Sequence, residues 1–184
     1  AAAAGVADAD VPARAAVVDA VKRELSMYVF DGRSLAAELD PATSRLASLA
    51  YALTPQADPF KPDAPPPLTT PLQLYVAMRA AQRFADAHGR APGTDDGALD
   101  DDRAALRTLV DALLAEHKLE PAHCSDAALD AIVRAGDGEL HNTAALMGGI
   151  ASQEIIKIIT HLYKPIECVF VYDGHSSTSG NYDL

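Results

Sequence analysis

The chain has 184 residues, enough for one domain of ordinary size or two small ones sharing a core. Its 49% apolar content excludes disorder throughout. A formal net charge of −11, with basic residues such as Arg79, Arg83 and Arg90 scattered, excludes a broad nucleic-acid surface, because phosphates need grouped Lys and Arg.

In chain order, VPARAAVVDAVKRELSMYVF reads as a first helix, opened by Pro12, with Val17, Val21, Leu25 and Tyr28 near one face and Gly32 as its stop. DPATSRLASLAYAL reads as a second, with Asp40 as N-cap, Pro41 behind it, and Leu46, Leu49, Ala50 and Leu53 on one face. Residues 54–67 are dense in proline, which lacks the backbone donor and clashes with the preceding turn, so an exposed loop is expected. It serves either as a linker or as a proline-rich ligand.

TTPLQLYVAMRAAQRFADAHGRAPG is a helix punctuated at both ends. Thr70 caps it, Pro71 opens it and Gly89 takes the left-handed position past its end. Leu72, Tyr75, Val76 and Phe84 face one way, while Gln73, Arg83 and Asp86 are expected to reach water. Next comes a helix with Asp100, Asp101 and Asp102 at its start, where negative charge is favoured, and Leu106, Leu109, Val110, Leu113 and Leu114 as its stripe. A shorter helix is capped by Ser125 and stopped by Gly136. Near the end, Val169, Phe170, Val171 and Tyr172 favour a strand, and Asn181–Asp183 a returning partner. The expected class is mainly α with a small C-terminal β-hairpin, an α+β arrangement.

LMGGIASQEIIKIITHLYKPI is the unusual segment. Gln153, Glu154, Lys157 and His161 recur at spacings of three and four and predict one narrow wetted stripe. Ile150, Ile155, Ile156, Ile158, Ile159 and Leu162 fill the rest of the circumference. A surface helix needs only one apolar stripe, so this one demands cover on most sides. A helix followed at once by a β-rich strand suggests part of an α/β sheet domain whose other strands are missing from the chain. The expectation is a piece of something longer, or a chain that depends on a partner.

ELHNTAALMGGIASQEIIKIIT resembles the closing helix of the adenylation domain in activating enzymes for ubiquitin-like proteins. The resemblance rests on Gly148, Gly149, Gln153, Glu154 and Lys157. GRSLAAEL, PLQLYVAMRAAQRFADAHGRAPG and the tail YDGHSSTSGNYDL are similar to the regulatory subunit of the heterodimeric neddylation activating enzyme, the family of amyloid-precursor-protein-binding protein one and its plant auxin-resistance counterpart. The likeness runs from about Val21 to the end and is weakest in the proline-rich loop. YKPIECVFVYDG shares its Lys-Pro-Ile and Tyr-Asp-Gly with other branches and keeps the SUMO-branch regulatory subunit as an alternative.

The resemblance implies a C-terminal fragment. Residues 1–138 would be the later part of a helical insert standing where other members carry a catalytic-cysteine domain. Residues 139–184 would complete a Rossmann-like pseudo-adenylation fold. It further implies a non-catalytic subunit without its own cofactor. ATP, magnesium and the nucleophilic cysteine would belong to a catalytic partner, and a ubiquitin-like modifier would be the protein activated.

Read as chemistry, the residues offer little. No glycine-rich phosphate loop occurs. Gly148 and Gly149 could bind an anion at a helix start, or let another backbone come close. Glu154 and Lys157, with Gln153, are either a local pair or part of an interface. Cys124, beside His123, could act as a nucleophile in a catalytic activating enzyme, although adjacent residues rarely present side chains in that geometry. His117, His123 and Cys124 lack metal-ligand spacing, so no metal is expected. The cluster Asp95–Asp102 reads as a solvated helix start or as a contact for a basic partner.

Two cysteines, Cys124 and Cys168, form no disulfide framework and suit a reducing compartment. The opening AAAAGVADAD lacks a basic flank, and the apolar stretch at 144–163 is interrupted by Gln153, Glu154 and Lys157. An intracellular protein, cytoplasmic or nuclear and without a membrane span, is the expectation. A free-standing helical adaptor is the third functional class that the composition allows.

Overall fold

The computed structural model describes residues 34–57, 63, 65–166 and 169–184. The helix expected over residues 11–30, part of the proline-rich loop and Cys168 lie outside the described residues.

The core is a bundle of three helices: α3 (Pro71–His88), α4 (Leu99–Glu116) and α5 (Asp126–Ala135). Two short helices precede it, α1 (Leu35–Leu39) and α2 (Ala50–Leu53). A long helix, α6 (His141–Thr160), and an antiparallel hairpin of β1 (Val169–Asp173) and β2 (Thr178–Tyr182) follow it. The mainly helical class with a terminal hairpin is as expected.

The ends of α3 follow the sequence. The Thr70 hydroxyl accepts from the Gln73 N–H, Pro71 occupies the first turn, and Gly89 is left-handed. Leu72, Val76 and Phe84 are buried with Leu106, Val110, Leu113 and Leu114 of α4 and Leu129 of α5. The acidic start of α4 and the glycine stop of α5 also stand as read.

Three local expectations change. Asp40 does not start a helix. It ends α1, and its carboxylate accepts from the Ala42 N–H two residues on, so the chain turns there. Leu46–Leu49 then form a 3-10 turn that runs into α2. The apolar face survives the break: Leu46 and Leu53 are buried, and Leu49 and Ala50 pack against the core.

Gln73 does not reach water. It is buried, donating from Nε2 to the Leu53 carbonyl (2.7 Å) and accepting at Oε1 from the Ser125 hydroxyl (2.9 Å). It thus joins the end of α2, the start of α3 and the start of α5 with every polar atom in reach of a partner. Asp102 likewise leaves the solvated cluster. It is buried and takes both Arg90 guanidinium nitrogens at 2.6 Å and the Gly93 N–H at 2.8 Å. Arg90 holds its carboxyl below the usual carboxylate range.

Gly93, at φ 82°, lies where any Cβ would overlap the Val133 carbonyl near the end of α5. Only glycine lets that loop close on the helix. The hairpin lies against α3, with Val169 and Tyr182 packed on the helical core and Leu184 inside it.

Candidate interaction site

The unusual segment forms α6, as its periodicity requires, and it is nearly bare. None of its residues is buried. Ile155, Ile156, Ile158 and Ile159 are 56%, 50%, 54% and 71% exposed, and Leu162 and Tyr163 just beyond the helix are 68% and 69% exposed. Isolated exposed apolar side chains are ordinary, but a contiguous set of this kind marks a surface meant to be covered.

The helix is turned the opposite way from the sequence reading. Its half-covered residues are Thr143, Met147, Ile150, Glu154 and Lys157, spaced four, three, four and three apart. They form one stripe toward the rest of the chain. Of the stripe read as wetted, Glu154 and Lys157 therefore face inward, whereas Gln153 and His161 stay exposed.

The reason is the return of the chain. The Glu154 carboxylate accepts from Lys157 Nζ at 2.6 Å and, with its other oxygen, from the Ile166 N–H at 2.7 Å. A polar pair here ties down backbone that has left the helix, which no isoleucine could do. Lys157 and then Ile166 hold the Glu154 carboxyl below its ordinary range. His161 ends the helix in the left-handed region at φ 54° and aims the chain back along this stripe. At the other end, Thr143 sits against Gly174, where a Cβ would lie 3.2 Å from the threonine hydroxyl.

The open side follows by geometry. Ala145, Gly149, Ser152, Ile156 and Ile159 recur at spacings of four and three, opposite the tethered stripe, and all are exposed. The first half of that line is small and the second half large. Gly148 and Gly149 are inside α6, not at its start, so their N–H groups are engaged along the helix and provide no anion site. A Cβ on either would meet nothing within 4 Å. The described residues therefore supply no backbone that requires these glycines.

Elsewhere the candidates lose their chemistry. Cys124 is 2% exposed, and burial pushes its thiol up to about 11, so the thiolate a nucleophile needs is suppressed. Among the described residues no three His, Cys, Asp or Glu side chains converge as metal ligands. No helix there is long and apolar enough to cross a membrane.

No protein-family model matches the chain. It is 37% identical over 108 residues to the NEDD8-activating enzyme E1 regulatory subunit AXL of Arabidopsis thaliana, a match covering 58% of this chain and 21% of that protein. The NEDD8-activating enzyme E1 regulatory subunit of Gallus gallus is 38% identical over 111 residues, 60% of this chain and 21% of its own length. SUMO-activating enzyme subunit 1B-1 of Arabidopsis thaliana is more distant, at 31% over 112 residues, 61% of this chain and 34% of that protein. Over more than half its length the chain is thus homologous to these regulatory subunits, and it spans about a fifth of the length of the NEDD8-related proteins it matches.

Proposed function

We propose, from that homology to NEDD8-activating enzyme regulatory subunits, that this chain is part of such a subunit and contributes packing and interface rather than chemistry. The observation that carries the reading is the bare isoleucine side of α6. A helix of this composition is one layer of an incomplete assembly, and each isoleucine passing from half-exposed to covered would contribute roughly 1 kcal/mol.

On this reading residues 139–184 complete a pseudo-adenylation fold, and residues 1–138 are the end of its helical insert. The covering layers lie in the remainder of a longer subunit, of which this chain matches about a fifth. Gly148 and Gly149 then have a purpose. Each costs roughly 1 kcal/mol in a helix interior relative to alanine, a cost offset where another backbone must come close. Gln153, Glu154 and Lys157 shape the same interface, the last two by fixing the tether behind it. ATP and magnesium are held by a catalytic partner, the modifier is activated there, and the pair works in the cytoplasm or nucleus. The buried Cys124 thiol supports a regulatory role over a catalytic one.

The test is co-purification of the intact protein, followed by modifier activation with whatever subunit it captures. Capture of a catalytic subunit that forms a thioester with NEDD8, undiminished by Cys124→Ala, is the expected result. A pair that activates SUMO instead, or loss of the thioester in Cys124→Ala, overturns it.

A further inference from the structure

The last residues of the chain are fastened to the helical bundle in a way that neither the homology nor the interface reading requires. Leu184 is 4% exposed and shares a cluster with Leu46, Leu53 and Leu72. Asp183 pairs with Arg45 at the rim of the same corner. Tyr182 reaches the start of α3, where its hydroxyl lies close to the Leu72 N–H. That amide lies in the first turn of α3, where helical N–H groups have no partner within the helix.

The reach of Tyr182 depends on Gly180. A Cβ at Gly180 would fall inside the tyrosine ring and hydroxyl, so the ring lies flat over the glycine two residues back on the same face of β2. α6 packs extensively on no other element among the described residues; near its start Thr143 lies beside Gly174, and at its far end Glu154 accepts from the Ile166 N–H. Both attachments lead into the hairpin or the segment that feeds it.

We propose that the Tyr182–Leu184 terminus is a latch: it fastens the hairpin to the corner between α2 and α3, and through the hairpin it sets the angle at which α6 is presented to whatever covers it. The presentation rests on the interface reading above, whereas the latch itself does not.

Two measurements on the intact chain test it, neither using a partner. In Leu184→Asp, amides of β1 and β2 should exchange at least about tenfold faster while those of α4 and α5 stay within about twofold, the signature of local opening. Labels at Thr108 and Ser152, in a Cys168→Ser background, should pass from one narrow distance distribution to a broad one. Equal acceleration in hairpin and bundle, or none in the hairpin, or an unchanged distance distribution, overturns the latch. Tyr182→Phe keeps the ring and removes the hydroxyl, so it covers the case in which Leu184→Asp fails to fold. The Leu72 amide should then exchange about tenfold faster; an unchanged rate also overturns the proposal.

Discussion

Asp102 is the residue on which the bundle's response to acid should turn. Its carboxylate is buried against Arg90 and the Gly93 N–H, and its folded pKa is lowered from the ordinary value. A lowered folded pKa means that the contribution is complete above the unfolded carboxylate value of about 4 and is lost as pH falls through the lower, folded one. Asp102→Asn keeps the shape and removes the charge. The variant is expected to melt several degrees lower at pH 7, and the gap should close as pH drops through the acid range. Melting curves across pH check this, and a pH-independent gap would contradict the ion pair as its cause. Helix spacing puts Asp102 in line with Leu106, Leu109 and Leu113, and Gln73 in line with Val76, Ala80 and Phe84, but a polar side chain gives by itself no reason to bury it. Their burial depends on Arg90 and on Leu53 and Ser125 arriving from elsewhere in the chain.

At the scale of elements, the sequence carried most of the information. A cap and a glycine stop marked α3, a glycine stop marked the end of α5, leucine spacing marked α4, and β-branched and aromatic residues marked β1; Ser125 stands at the N-cap position of α5, but its hydroxyl donates to Gln73 and Leu68 and makes no capping bond. These signals are local. The break at Asp40 is not legible locally, because Asp-Pro serves equally as helix start and turn, and Thr43 settles the matter by donating to the Ala37 carbonyl (2.7 Å). The orientation of α6 is hidden in the sequence for a related reason. Spacing shows that Glu154 and Lys157 share a face, but only the returning chain at Ile166 decides that the face points inward. The bareness of the isoleucines was legible, since they outnumber any single stripe.

That bareness yields a prediction with two halves. Ile155→Glu with Ile159→Glu should leave the melting point of this chain within the equivalent of about 0.5 kcal/mol, because exposed positions tolerate change. In the assembled subunit the same pair should cost on the order of several kcal/mol, because it would place unpaired carboxylates in a covered apolar layer. Melting curves of chain and assembly, compared side by side, check both halves. A large loss in the chain alone would mean that these side chains already pack against it.

For the whole molecule, the isoleucine-rich helix was expected to need layers from outside the chain, and the described residues leave it open on that side. What they do complete is a three-helix core with a terminal hairpin closed onto it. The two parts differ in a physical sense. One has its apolar surface satisfied, and the other does not. The homologous regulatory subunits are nearly three times as long as this chain, which leaves ample polypeptide to finish the second part.

The most direct measurement is the rate of thiol labelling at Ile159→Cys, taken on this chain and on the longer subunit proposed above, assembled with the catalytic partner proposed for it. Rapid labelling in the chain, slowed at least about a hundredfold in the assembly, is the expected result. Equal rates in the two would contradict the account, for the isoleucine side of α6 would then be a surface that nothing covers.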